Sequence, residues 1–174
     1  MLLNLWWLEL MDTPILASQI NQEDKNLGDS YLKFYLDPQT PAILAMEHVQ
    51  EVLLIPPRRI TPMPNMPECV LGLINRHNRV VWGIDLAQML SLQPLSTNAQ
   101  HYNVVIIKVG QSPLGLVVQE VKGLTRFTSD SIQAPMGLVN SFLTSYLHGC
   151  ILQQQEVLLV LNAEAIMVSP CFIQ

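Results

Sequence analysis

The sequence has few charged residues. Only 13% of its 174 residues are Asp, Glu, Lys or Arg, while 49% are apolar; an average globular protein has about 25% charged residues. A folded chain with so few charges leaves apolar surface exposed, and such patches usually contact a partner. The net charge of −5 is not that of a strongly basic nucleic-acid-binding domain. Nucleic acid is therefore not an expected partner.

Cysteine is also scarce. Cys69, Cys150 and Cys171 are odd in number and form no C-x-x-C pair. This spacing argues against a disulfide framework or a zinc site and favours a reducing compartment, so we expect a cytoplasmic protein. Cys69 and Cys150 each lie in an apolar run, where cysteine commonly serves as a small core residue.

The sequence lacks a long apolar stretch. Its opening run, Met1–Leu10, is apolar, but a membrane-spanning helix needs about 20 such residues. A signal peptide begins with basic residues, whereas no Lys or Arg precedes Lys25. We therefore predict no direct insertion into a membrane.

The first 29 residues form a separate segment by composition. Residues 1–29 hold one base against five acids, and they include Trp6 and Trp7. We interpret them as an N-terminal extension that is flexible or docks on a partner, although Met11 could equally be the true initiator. Residues 170–174 are interpreted as a short C-terminal tail.

Motifs of common enzymes and cofactor sites are missing, among them the P-loop, G-x-G-x-x-G, G-x-S-x-G and H-E-x-x-H. His48 and Glu51 are three residues apart, but they lie where we expect strand and turn, without a third metal ligand nearby. His148 and Cys150 would point to the same side of a strand, yet nothing polarises the thiol. We therefore predict no metal, no cofactor and no catalytic residue.

Two similar hairpins are the most informative feature that is present. In Gly72–Leu86 an apolar strand enters the polar turn Arg76 to Arg79, leaves as a second apolar strand and ends at Asp85. Gly149–Asn162 has the same arrangement, and in both copies the glycine lies thirteen residues before the Asp or Asn. Asp85 can cap a short helix that follows. The pattern predicts a duplicated β module.

Other segments repeat in the same order. Val49–Val52 and Val118–Val121 are both Val-Gln-Glu-Val, and Ile132–Pro135 resembles Ile60–Pro64. No single match is strong, but three matches in one order favour a duplication.

The predicted strands recur every 8–12 residues with turn signals between them, which is typical of small barrels or a sandwich. We place the first repeat at about residues 31–92 and the second at about 102–168, within one domain at 30–169. Lobes of this size have marginal cores, so we expect them to pack together.

Arg58, Arg59, Arg76 and Arg79 supply four of the nine basic residues, and all lie in the first half. They could simply keep an exposed turn soluble. Alternatively they form a basic rim that steers an acidic partner. Glu51 follows an apolar strand and could pair with Arg76 or with a partner's base.

The segment Val70–Leu86 resembles the signature G-V-I-N-L-R-G-x-V-V-P-V-I-D-L of CheW-like domains, the coupling proteins of bacterial chemosensory arrays. Val49–Val52, Gly115–Val121 and Gly149–Leu161 also occur in the order of that family. The resemblance covers about residues 31–168.

This resemblance implies a mainly β fold in which two SH3-like five-stranded β-barrels, with short helices, surround a shared hydrophobic core. It also implies a non-enzymatic adaptor without cofactors. One lobe of such a protein docks on the CheW-like regulatory domain of a CheA-like histidine kinase. A groove between the lobes holds the cytoplasmic tip of a methyl-accepting chemoreceptor, so that the protein would be recruited to receptor arrays at the membrane.

The hairpin tip departs from the signature. The family arginine, which pairs with the glutamate matching Glu51, is replaced by His77, with Arg76 beside it. Asn78 replaces glycine, and Asn adopts left-handed conformations more readily than most residues. Trp82 replaces proline, and hairpins of that kind resemble the divergent members found in pilus-dependent motility and phototaxis.

These patterns together predict a set of partner-binding residues: Val49, Glu51, Val52, Arg76, His77, Asn78 and Arg79. Two other hypotheses remain open at this point. The chain could be an interaction module that regulates an unrelated partner through residues 1–29, or an enzyme that uses Cys150 or Cys69.

Overall fold

The computed structural model describes residues 27–135, 137 and 139–171. The predicted extension, apart from its last three residues, lies outside the described residues, as does the end of the predicted C-terminal tail.

Strands dominate the described part of the chain. They are β1 (Asp29–Asp37), β2 (Thr40–Ala45), β3 (Val49–Ile55), β4 (Ile60–Thr61), β5 (Val70–Arg76), β6 (Arg79–Asp85), β7 (Tyr102–Val109), β8 (Ser112–Val118), β9 (Glu120–Phe127), β10 (Leu147–Gln153) and β11 (Glu156–Leu161). Three short helices accompany them: α1 (Leu86–Met89), α2 (Ser141–Thr144) and α3 (Ala163–Met167). Single 3₁₀ turns occur at Met46–His48, Pro57–Arg59 and Ser129–Ser131.

The strands form two sheets that mix the two sequence halves. The five-stranded sheet has the order β10-β11-β2-β1-β9, and the six-stranded sheet has the order β3-β7-β8-β6-β5-β4. Each sheet combines the first two strands of one half with the later strands of the other half. The halves join through parallel pairs, β11 with β2 and β6 with β8. Neither sheet is therefore the product of one sequence repeat.

The strand register corrects the alignment of the two halves. Val49 pairs with Ile107 at a bulge in β3, and Val121 pairs with Phe34 at a bulge in β9. These equivalent bulges match Val49 with Val121, 72 residues later, rather than with Val118. The second Val-Gln-Glu-Val copy instead spans the end of β8 and the start of β9. The prediction that the two copies are equivalent is wrong, because a short identity occurred out of register.

Gly72 and Gly149 are equivalent, and both allow a close approach of two backbones. A Cβ atom on Gly72 would lie 2.1 Å from the carbonyl oxygen of Thr61, and one on Gly149 would lie 2.5 Å from that of Gln133. Thr61 belongs to β4, and Gln133 forms the equivalent bridge to Cys150. Only a residue without a side chain lets these segments pair with the hairpins.

The residues that end the hairpins cap the helices that follow. The Asp85 carboxylate accepts hydrogen bonds from the backbone N–H groups of Gln88, at 3.0 Å, and Leu95, at 2.9 Å. Asn162 Oδ1 accepts one from the N–H of Ala165 at 2.9 Å. The predicted cap of α1 by Asp85 is confirmed.

The buried residues form one large cluster between the sheets and a smaller one on each sheet. The large cluster includes Phe34, Leu44, Ile84, Ile107, Leu116, Leu161 and Ile166. The cluster of the six-stranded sheet consists of Ile55, Ile60, Ile74, Val81, Val104, Ile106 and Val117, and that of the five-stranded sheet of Tyr31, Ile43, Ile151, Leu158 and Val160. The predicted mainly β class with a shared core is confirmed, although the strand pairings of the described residues give two sheets rather than closed barrels.

One predicted juxtaposition is wrong. A bulge between Leu147 and Gly149 shifts the register of β10, so His148 is exposed while Cys150 is buried. A bulge adds one residue to a strand and thereby changes the face on which the following side chains lie. His148 and Cys150 therefore do not form a pair on one side of the strand.

Candidate partner-binding site

The tip of the first hairpin is a two-residue turn. His77 and Asn78 have φ angles of 45° and 61°, as in the type I′ turns that suit the twist of hairpin strands. Arg76 and Arg79 are paired across the base of the turn, so the predicted turn from Arg76 to Arg79 has His77 and Asn78 as its two central residues. Two positive charges directly opposite each other are unfavourable, and a neighbouring carboxylate offsets this repulsion.

That carboxylate belongs to Glu51. Arg76 Nε lies 3.1 Å from both carboxylate oxygens of Glu51, and a terminal guanidinium nitrogen also donates to Oε1. Such forked, charge-assisted hydrogen bonds fix geometry as well as adding energy. The hydrogen bond from Arg76 lowers the pKa of Glu51 below its ordinary value, and the same bond raises the pKa of Arg76.

His77 occupies the position of the family arginine, but it is not the main partner of Glu51. Its Nε2 lies 3.9 Å from Glu51 Oε1, and its side chain is 73% exposed. Arg76, one position earlier, forms the ion pair instead. The structure therefore pairs Glu51 with an arginine despite the altered signature, and leaves His77 at the surface.

The ion pair lies at one end of the core of the six-stranded sheet. It borders a groove of about 380 Å³ whose lining includes Gln50, Arg79, Val81, Ile106 and Pro113. Val81 and Ile106 also belong to the buried cluster of that sheet. The groove is therefore a mouth over this core, with charged side chains at its rim.

Val49 and Val52 are placed differently. Val49 is half-buried and packs against the shared core, whereas Val52 is 43% exposed. Leu54, two residues further along β3, is 64% exposed and shares the face of Val52 because strand residues alternate. Leu54 is absent from the predicted set, since an alternating edge strand does not reveal which face a partner covers.

Trp82 is a further residue that the predicted set lacks. It is 37% exposed and, like Val80 at 60%, faces away from the core of the six-stranded sheet. It forms a groove of about 230 Å³, here called the Trp82 groove, with Met66, Val70, Ser112, Pro113, Leu114 and Met167. The available sequence signal was the replacement of the signature proline by tryptophan.

The described residues give His48 and Glu51, the metal-ligand candidates of the sequence, different partners. No three His, Cys, Asp or Glu residues among them are grouped to hold a metal ion. His48 lies 3.6 Å from Glu47 and 3.5 Å from Glu164, whereas Glu51 is engaged by Arg76. None of the described helices is long and apolar enough to cross a membrane.

The buried thiols are not activated. Burial and, secondarily, a hydrogen bond with Cys171 raise the pKa of Cys69 to about 12, and burial also raises the pKa of Cys150. A thiol with a raised pKa holds little of the nucleophilic thiolate at neutral pH. Neither cysteine is thus prepared to act as a nucleophile.

Comparisons with known proteins agree with the resemblance seen in the sequence. The family model of the CheW-like domain matches residues 30–171. A probable chemotaxis protein CheW of Rhizobium etli is 26% identical over 106 residues, which are 61% of this chain and 68% of that protein. The chemotaxis protein CheW of Treponema pallidum is 23% identical over 117 residues, 66% of this chain and 68% of that protein.

A solved structure shares the fold. The crystal structure of the scaffolding protein TtCheW from Thermoanaerobacter tengcongensis superposes with a TM-score of 0.71 at 19% sequence identity. The match covers 83% of this chain and 95% of that structure. At this identity the likeness establishes the fold alone.

Proposed function

The chain belongs to the CheW-like domain family, and from this membership we propose that it couples a methyl-accepting-type chemoreceptor to a CheA-like histidine kinase. Proteins of this family are chemotaxis scaffolds and not enzymes. The action of such an adaptor is positional, because it makes and breaks no covalent bond. It holds kinase and receptor in one array, so that the state of the receptor biases the activity of the kinase.

The observation that carries the proposal is the charged rim at the mouth of the six-stranded sheet. His77, Asn78 and Arg79 are exposed at the hairpin tip, and Arg79 forms no ion pair with any residue that the structure describes. Glu51 holds Arg76 in place. A preformed basic rim over an apolar mouth suits an acidic protein surface. We assign these five residues to docking on the regulatory domain of the kinase.

The outer face of β3 supplies apolar anchors for a helical partner. Val52 and Leu54 are exposed there, and half-buried Val49 supports the same strand from the shared core. Docking of an amphipathic helix requires apolar side chains on the receiving surface. We assign Val52 to contact with the cytoplasmic tip of the receptor, and Val49 to the apolar support of that surface.

Trp82 supports a narrower assignment. It replaces the proline of the family signature, and such hairpins resemble members found in pilus-dependent motility and phototaxis. We propose that the chain serves a pathway of that type, in the cytoplasm, where a receptor array recruits it to the membrane.

Co-sedimentation with receptor-containing membranes tests the proposal. The regulatory domain of the kinase should sediment with these membranes only when the chain is added. Val52→Glu should abolish association with the receptor and leave kinase binding intact. Leu124→Glu is the matched control, because Leu124 takes the equivalent position in β9, pairs with Leu32 of β1 and is 72% exposed. The proposal fails if the kinase domain never sediments with the chain, or if both substitutions act alike.

A further inference from the structure

The Trp82 groove has a counterpart in the other half of the molecule. Pro113, at the start of β8, and Trp82, in β6, line the first groove. Pro41, at the start of β2, and Leu159, in β11, occupy the equivalent places in a second groove. Duplication therefore produced two grooves of the same construction, and their lining can be compared directly.

The two grooves differ in polarity. Besides Trp82 and Pro113, the first is lined by the apolar side chains of Met66, Val70, Leu114 and Met167, with Ser112 as its polar residue. The second is lined by six apolar residues and by the polar side chains of Gln39, Thr40, Asn140, Gln155 and Glu156. The first groove therefore has the more apolar wall, because one of its seven lining residues is polar against five of eleven in the second. Its volume of about 230 Å³ is below the roughly 300–1,000 Å³ of small-molecule sites, so it suits one or two side chains of a peptide.

The apolar groove borders the basic hairpin tip. Pro113 lines both the Trp82 groove and the mouth at Glu51 and Arg76. Along β6, Arg79 faces the mouth and Trp82 faces the groove. A peptide that places a large apolar side chain in the groove would thus bring neighbouring carboxylates close to Arg79. The complementary ligand is an apolar segment with interspersed acidic residues.

Residues 1–26 of this chain have that composition. They contain Trp6 and Trp7, the only tryptophans besides Trp82, and hold one base against four acids, a side-chain charge of −3. The described chain begins next to β1, whose Asp29 pairs with Phe127. Twenty-six extended residues span about 86 Å, whereas a domain of this length has a radius of gyration of about 16 Å. The segment is therefore long enough to reach the groove.

We infer that the N-terminal segment docks intramolecularly in the Trp82 groove, with Trp6 or Trp7 in the apolar pocket and Glu9 or Asp12 near Arg79. The segment covers apolar surface that the low charge content leaves exposed. Docking does not depend on the adaptor role, since it involves only this chain. If the proposed function holds, the docked segment also competes with the kinase for the hairpin tip.

Tryptophan fluorescence of the full chain tests this inference. In the full chain Trp6, Trp7 and Trp82 emit, and the Trp6→Phe/Trp7→Phe double variant gives the contribution of Trp82 alone, so the emission of Trp6 and Trp7 is obtained with the groove unaltered. Docking predicts blue-shifted emission and acrylamide quenching several-fold weaker than in a synthetic peptide of residues 1–26. Adding Met66→Lys or Met167→Lys, which place a charge in the groove from two different elements, should restore the quenching of the free peptide. Val157→Lys, in the second groove, should not.

Circular dichroism melting would identify a lysine variant that fails to fold. The quenching of the other lysine variant then provides the test. Quenching of Trp6 and Trp7 in the full chain equal to that of the free peptide would overturn the inference, as would quenching that is the same with and without the two groove substitutions. Shielding that disappears on dilution would show that the groove belongs to a second copy of the chain, and would equally overturn docking within one molecule. None of these experiments measures kinase binding. Failure of the proposed adaptor function and failure of the docking inference are therefore distinguishable.

Discussion

Glu51 on β3 and Arg76 on β5 form a hydrogen-bonded ion pair although β7, β8 and β6 lie between their strands in the six-stranded sheet. Two side chains so far apart in strand order can meet only if the sheet curves until its ends converge. The pair therefore joins β3, at one edge of the curved sheet, to β5, the strand next to the other edge, across the mouth of its core. In the second half Gly123 and Gln153 take the equivalent positions. Neither residue carries a charge, so the ion pair at this place belongs to the first half alone.

The pair should contribute stability that depends on pH. The pKa of Glu51 in the folded protein lies below the ordinary 4.5 of glutamate because Arg76 donates a hydrogen bond to the carboxylate. The contribution is thus present above 4.5 and is lost as the pH falls through the folded-state pKa. We expect Glu51→Gln to lower the urea midpoint slightly at pH 7, with a difference from the wild type that vanishes on acidification. Asp130→Asn, on an exposed turn, is the control; a difference independent of pH would contradict the assignment.

The helix caps should differ in strength. Asp85→Ala leaves two backbone N–H groups, those of Gln88 and Leu95, without acceptors, and should reduce the free energy of unfolding by about 2–3 kcal/mol. Asn162→Ala removes one such acceptor and should cost about 1 kcal/mol. Chemical denaturation of both variants measures this order. Equal losses would contradict the double role of Asp85.

The close approach at Gly72 makes a strong prediction. A Cβ there would meet the backbone of Thr61 at 2.1 Å, at a φ of 136°, so Gly72→Ala should destabilise the fold by about 3 kcal/mol or more. Gly110 also has a positive φ, of 60°, but nothing lies within 4 Å of its Cβ position. Gly110→Ala should therefore cost only about 1 kcal/mol. Thermal melting of the two variants distinguishes the cost of the steric clash at Gly72 from the cost of a positive φ alone, as at Gly110.

The three cysteines should react with a thiol reagent in a fixed order. Cys171 is half-buried, whereas Cys69 and Cys150 are buried and have raised pKa values. Mass spectrometry after brief alkylation of the native protein should find the label on Cys171 first, and on the others only after unfolding. Rapid labelling of native Cys150 or Cys69 would revive the hypothesis of a catalytic thiol.

Local signals in the sequence predicted the hairpins and the cap at Asp85, because turn, bulge and cap residues act over a few positions. The exchange of strands between the halves was not predictable in this way, since it depends on pairing between distant segments. The misplaced Val118–Val121 copy shows the same limit, as register is fixed by bulges such as that at Val121 and not by short identities.

The candidate site was predicted in part. The sequence placed Glu51 near a basic tip and left open whether it pairs with Arg76 or with a base of a partner. The pairing depends on the curvature of the sheet, which brings the end of β5 towards β3. Trp82 and Leu54 escaped prediction because their exposure is decided by the elements packed around them.

The most direct test of the adaptor account is calorimetric titration of the full chain with the regulatory domain of its CheA-like kinase. The account predicts binding with a dissociation constant of about 10 µM or tighter. Arg76→Glu should weaken binding at least about tenfold, a loss of about 1.4 kcal/mol. Lys122→Glu, the same change of charge on exposed β9 of the other sheet, should have little effect. No binding at tens of micromolar between folded proteins, or equal effects of the two substitutions, would contradict the account.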